Sequence, residues 1–158
     1  MRLVIAGLLL IMTLPASAQD VFQVHGRTNC GGSGNGVVRV LAAGTHDLTI
    51  SGGISYWSSD SFNGGNTWIS RLVIKDLSTG VEEVFGAGVG FLPSRAAAEA
   101  AIAGMVFTFD LPADATVAFY HTDGGGCGDN RSYVTVSLDD PIVGNDRSSW
   151  GEIKSAYR

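Results

Sequence analysis

Near the end of the chain, ten residues bring together two carboxylates, a carboxamide, four glycines and one of the two cysteines: His121-Thr-Asp-Gly-Gly-Gly-Cys-Gly-Asp-Asn130. Asp123 and Asp129 carry carboxylates, and Asn130 carries a carboxamide. The glycines let the backbone turn tightly and aim carbonyls inward. Carboxylate, amide and carbonyl oxygens are the donor set that a hard cation such as calcium requires. The same residues are also ordinary turn formers, so composition alone leaves a calcium loop and a solvated hairpin both open. His121 and Asp123 fall on one face of a strand end, which adds a third reading, a zinc or general-base site in a small hydrolase. That reading lacks a second nearby histidine and a nucleophile elbow of the G-x-S-x-G type. The adjacent pairs Glu82-Glu83 and Asp139-Asp140 point to opposite faces of a strand and do not flank one bond as glycosidase carboxylates do. The expectation is a protein that is not an enzyme.

The loop joins two alternating runs, Thr116–Tyr120 and Ser132–Leu138, and the rest of the chain repeats that pattern. Phe22 and Val24 alternate with Val21, Gln23 and His25. Val37–Leu41 is a second strand, and Asp47–Ile50 a third, followed by Ile54–Trp57. Thr67–Lys75 reads as the longest strand, with Trp68, Ser70, Leu72 and Ile74 on one face. Asp76–Gly80 is a hairpin turn into Val81–Phe85. Pro93 and Ser94 start an Ala-rich helix over Arg95–Ala103, which Gly104 stops; its expected role is to plug one end of the fold. Met105, Phe107 and Phe109 then alternate inward, and Val117 and Phe119 do so again. About eight short strands, separated by Gly, Asp, Asn and Pro turns and joined by one short helix, predict an all-β, single-domain β-sandwich of the jelly-roll kind.

The ends differ from this domain. Arg2, the apolar run Leu3–Leu14 and Ala16-Ser17-Ala18 form the three regions of a secretory signal peptide over residues 1–18. The apolar run is too short for a comfortable bilayer span, so no transmembrane segment is expected. Residues 19–140 form the β-sandwich, and 141–158 a linker and short helical tail around Ser149-Trp-Gly-Glu152. Without Arg2 the formal charge of −5 becomes −6. No basic stripe is present, which argues against nucleic acid as a partner. A secreted or periplasmic location permits disulfides, and only Cys30 and Cys127 are there to pair. Both lie in Gly-rich loops. The first of these, Arg27–Gly36, leads into a strand rather than a helix, so it is a flexible connection pinned by Cys30 and not a phosphate cradle.

Met105–Leu138 resembles the C-terminal third of the PA-I-type galactophilic bacterial lectins, small jelly rolls of the galactose-binding-domain-like group. The matching pieces are FTFDLPADATVAFYHTD, then GGGCG, then DNRSYVTVSL. AAGTHDLTISGGISYWSSD is similar, more weakly, to the family's segment with a key tyrosine. The resemblance implies one calcium held by Asp123, the Cys127 carbonyl or a neighbouring glycine's, Asp129, Asn130 and the Tyr56 carbonyl. It also implies that a galactose-like carbohydrate completes the coordination while contacting Asp123, Asp129 and Asn130. Three departures limit the carry-over. Asp129 stands where the family has Asn, the loop is one residue shorter, and Ser58–Asn66 has no counterpart of the family's further sugar-contacting loop. Trp57, with Phe62 and Trp68 behind it, is the candidate stacking platform. The combined expectation is a lectin-like, calcium-dependent carbohydrate-binding module; the competing one is a structural or adhesion module whose loop only stabilises the fold.

Overall fold

A computed structural model describes residues 19–58, 65–86, 91–123 and 126–139, and of 57, 58, 65 and 66 only the backbone. The signal-peptide segment, the tail from residue 140 onward and Phe62 lie outside the described residues.

Among the described residues, nine strands form two antiparallel sheets. They are β1 (Gln19–His25), β2 (Val37–Leu41), β3 (Gly44–Ser58), β4 (Gly65–Ile69), β5 (Leu72–Asp76), β6 (Glu82–Phe85), β7 (Phe107–Leu111), β8 (Ala115–Tyr120) and β9 (Arg131–Asp139). One sheet has the order β1-β9-β3-β4, with β7 also paired to β3; the other has the order β2-β8-β5-β6. With β4 set aside, the two four-stranded layers are those of a jelly roll, and the all-β sandwich read from the alternation is the observed fold. Inward residues of both sheets meet in one core. Val24, Leu48 and Val136 face Leu72, Val117 and Phe119, all at 0–1% exposure. Each such side chain contributes roughly 1.5–3 kcal/mol relative to exposure.

The one α-helix among the described residues, α1 (Arg95–Ile102), begins as its residues dictate. The Ser94 hydroxyl accepts from Ala97 N at 3.1 Å, and Gly104 follows the helix at φ +76°. The helix packs on β3 and β4, with Ala98 against Gly53 and Ile102 in the core.

Several expectations need correction. Thr67–Lys75 is not one strand: β4 belongs to the first sheet and β5 to the second, and the chain crosses between them at Ser70-Arg71. The crossing is held by the Ser70 hydroxyl donating to Gly52 O at 2.5 Å. Trp68 therefore does not share a face with Leu72 and Ile74. Asp47–Ile50 and Ile54–Trp57 are instead one 15-residue strand, β3, which passes through Gly52 at φ +81°. Met105 precedes β7 and is exposed. Arg27–Gly36 is a built connection rather than a flexible one. Asn29 Oδ1 accepts from His25 N at 2.9 Å, Asn29 Nδ2 donates to Asn35 O at 2.8 Å, and Asn35 Nδ2 donates to Cys30 O at 2.9 Å.

Candidate functional site

The loop after β8 is fastened on three sides. Cys30 and Cys127 form a disulfide with Cα atoms 5.8 Å apart, as the pairing of the only two cysteines predicts. At the root of β8, His121 N donates to Asn29 O at 2.7 Å and Gly31 N donates to His121 O at 3.2 Å. The Arg71 guanidinium donates to the Thr122 carbonyl and, at 3.2 Å, to its hydroxyl. On the far side, Asn130 Nδ2 donates to Gly26 O at 3.0 Å and approaches Cys30 Sγ at 3.4 Å. Beside it, Ser132 holds φ +68°, a left-handed conformation that costs a non-glycine residue roughly 1 kcal/mol or more.

These fastenings create a polar layer at one end of the apolar core. Counting along each strand by twos, Tyr56 follows Ile54, Thr67 precedes Ile69, His121 follows Phe119, and Asn130 lies two residues before Ser132 on the inward side of β9. Thr67 and His121 are 0% exposed and Asn130 is 1% exposed. Several polar atoms of this layer lack hydrogen-bond partners: Thr67 Oγ1, Asn130 Oδ1 and the buried Arg71 Nε. Buried polar atoms are paired in the great majority of cases, and an orphan points to a missing water, ion or ligand.

Charge is mixed in this layer. Burial drives the His121 pKa down to about 4, and the Arg71 guanidinium pushes it the same way; Asp123 and the Arg71 backbone act against them. The imidazole is therefore neutral at pH 7. Burial raises the Tyr56 pKa, with Arg71 lowering it and Asp123 raising it. Arg71 and Asp123 are thus both within electrostatic reach of the Tyr56 phenol.

The residues singled out from the sequence fall as follows. The β3–β9 register ends at Ser55↔Arg131, and one further step sets Tyr56 opposite Asn130. Tyr56 and Asn130 are thereby neighbours across the two strands, and the Asp123 charge acts on the Tyr56 phenol. Cys127 is beside them through its disulfide, and Asp129 is on the exposed side of the loop. The Trp57 side chain lies outside the described residues, as do Gly124 and Gly125, so the carbonyls of the loop interior are not placed. Trp68 is half-buried, and its backbone bonds to Leu92 at 2.9 Å in both directions. Among the described residues, no group of three His, Cys, Asp or Glu side chains could hold a metal. A cation here would have to rely instead on amide and carbonyl oxygens with Asp123 and Asp129, and the orphaned Asn130 Oδ1 is an atom that would suit one. As for catalysis by His121 and Asp123, the imidazole is sealed from solvent.

Sequence reasoning missed Arg71, Thr67 and Phe91. Phe91 is 49% exposed and meets the Tyr56 ring edge-on, with centroids 5.4 Å apart, which makes it an aromatic surface next to the site. An isolated aromatic between Gly90 and Leu92 gives no periodic signal.

No family model matches the chain, and no curated protein does. Among solved structures, the chain is similar to the EclA N-terminal domain, described as a PllA-like lectin. The identity is 15%, the TM-score 0.43, and the alignment covers 76% of this chain and 94% of that one.

Proposed function

We propose that the protein is an exported carbohydrate-binding module that holds a calcium ion in the loop after β8. The observation that carries this reading is the Asn130 carboxamide. Its nitrogen is bonded to Gly26 O while its oxygen, 1% exposed, has no donor, and the carboxylate-bearing loop residues Asp123 and Asp129 lie near it in the chain. A calcium ion would meet that oxygen and take further ligands from Asp123, Asp129, the Tyr56 carbonyl and a loop carbonyl near Cys127, its usual complement being six to eight oxygens. Bound calcium supplies open coordination positions for a pair of sugar hydroxyls. Phe91, exposed beside Tyr56, offers an aromatic face to the sugar's apolar side.

Titration calorimetry with calcium, alone and with a panel of mono- and oligosaccharides, tests this. Calcium binding that falls at least tenfold in Asp123→Ala and Asp129→Ala, with sugar binding only in its presence, is the expected result. Unchanged calcium affinity and melting temperature in both variants would sink the metal site.

A second reading is favoured by the disulfide and by the Asn130–Gly26 bond, which together staple the β1–β2 and β8–β9 connections. In it the loop serves stability only. Calcium binding without any sugar binding selects that reading.

A further inference from the structure

A cavity of about 100 Å3 lies between the β5–β6 hairpin of one sheet and β7 of the other. Ile74, Phe109 and Leu111 of the core form its apolar walls, and Val81 and Pro112 also line it. In the β5–β8 pair Asp76 partners Val117 while Val73 partners Tyr120, so the cavity is at the end remote from the loop after β8. Nothing in it depends on the calcium reading.

Two inward-facing acidic residues border these apolar walls. Ile74 and Asp76 share the inward face of β5, and Glu83, the register partner of Ile74, shares the inward face of β6 with Phe85. Asp76 is 7% exposed, and donors from Ser78 and Thr79 keep it ionised. The Glu83 carboxylate has no hydrogen bond or ion pair among the described residues. Among those residues, no Lys, Arg or His lines the cavity. The neighbouring cation, Lys75, is on the other face of β5, with its ammonium 3.6 Å from Glu82. Charge of one sign in a cleft with apolar walls focuses its field on whatever enters.

We propose that this cavity binds a small alkylammonium compound, its chain against Ile74, Phe109 and Leu111 and its ammonium on the Glu83 carboxylate, within the field of Asp76. The size fits. An apolar cavity of about 150 Å3 takes benzene, so this one holds a chain of about four or five carbons with the ammonium at the mouth. An uncharged chain would strip water from Glu83 without replacing it, and an anion would be repelled. An inward carboxylate on an edge strand such as β6 also guards against edge-to-edge pairing; that role requires Glu83 but no cavity.

The test uses n-pentylammonium chloride as the probe, followed by methyl NMR. The Ile74 and Leu111 methyl signals should shift saturably, with 1-pentanol and pentanoate binding roughly tenfold more weakly or worse. Glu83→Gln should weaken ammonium binding by roughly tenfold and leave pentanol binding unchanged. Val81→Trp, at a position 60% exposed and so outside the core, should close the mouth and abolish binding of both while the melting temperature stays that of the parent. No saturable shift in the parent, pentanol binding as tight as that of pentylammonium, or equal ammonium affinity in Glu83→Gln overturns the site. Self-association of Glu83→Gln, with no ammonium binding by the parent, overturns it too and assigns Glu83 to edge protection.

Discussion

Two turns at opposite ends of the sandwich use nearly the same residues to opposite effect. Asp76-Leu-Ser-Thr-Gly80, between β5 and β6, spends its carboxylate on itself. Asp76 Oδ1 accepts from Ser78 N at 2.8 Å, Ser78 Oγ at 2.6 Å and Thr79 N at 3.3 Å, while Oδ2 accepts from Thr79 Oγ1 at 2.7 Å. Those bonds bring its pKa down to about 2. The loop after β8 also contains Thr, Asp and Gly, but its layer leaves Asn130 Oδ1 unmet. Residue type therefore does not tell a self-satisfied turn from one that borders an orphaned oxygen: the Asp76 carboxylate is filled by its neighbouring N–H and O–H groups, and the Asn130 carboxamide oxygen is not.

The sharpest way to break the contrast is to unfasten the loop. Cys127→Ser opens a loop closed across 97 residues and should cost about 4–5 kcal/mol, a melting-temperature fall of roughly 12–20 °C. Reductant should reproduce that fall in the parent and do nothing further to the variant; equal stability of the two would show that the Asn29 and Asn35 bonds alone hold the connection. A smaller loss of about 1–3 kcal/mol is expected for Asn130→Ala by chemical denaturation, because Gly26 O loses its donor. That variant should also lose any stabilisation by calcium, which at a hundredfold excess over the dissociation constant is about 2.7 kcal/mol. Retention of the calcium effect would return Asn130 to a purely structural role.

The smallest effect belongs to the saturated turn. A carboxylate whose pKa is about 2 in the fold, against 3.8 when free, stabilises the protein above pH 3.8, and that stabilisation is lost as pH falls toward 2. Asp76→Asn should thus melt below the parent at pH 6, with a gap that closes between about pH 4 and 2, and it should leave calcium binding intact. A gap independent of pH would mean that the bonds, not the charge, matter there.

The sandwich was legible because its core strands alternate cleanly: Phe22 and Val24, Leu48 and Ile50, Val134, Val136 and Leu138 all face inward as their spacing dictates. Thr67–Lys75 misled for the same reason. Its alternation continues through Ser70-Arg71, and the change of sheet is decided by a bond to Gly52, 18 residues away, which no local pattern encodes. At the site, the oxygen-bearing side chains could be picked out by type. Their burial could not, because a Gly-rich segment reads as solvated. Asn130 is sealed by the cystine, by Gly26 and by a register with β3 that brings in Tyr56.

The β1–β9 pairing has a consequence for how the protein is displayed. Gln19 and Asp139 are register partners, joined by a 3.2 Å side-chain bond, while Gly26 and Asn130 meet at the other end of the same two strands. The chain thus enters and leaves the domain side by side, at the pole opposite the loop. A tether or label joined at Gln19 or at Asp139 would hold the domain by its base and turn the loop outward, so immobilisation through either residue should present the same loop.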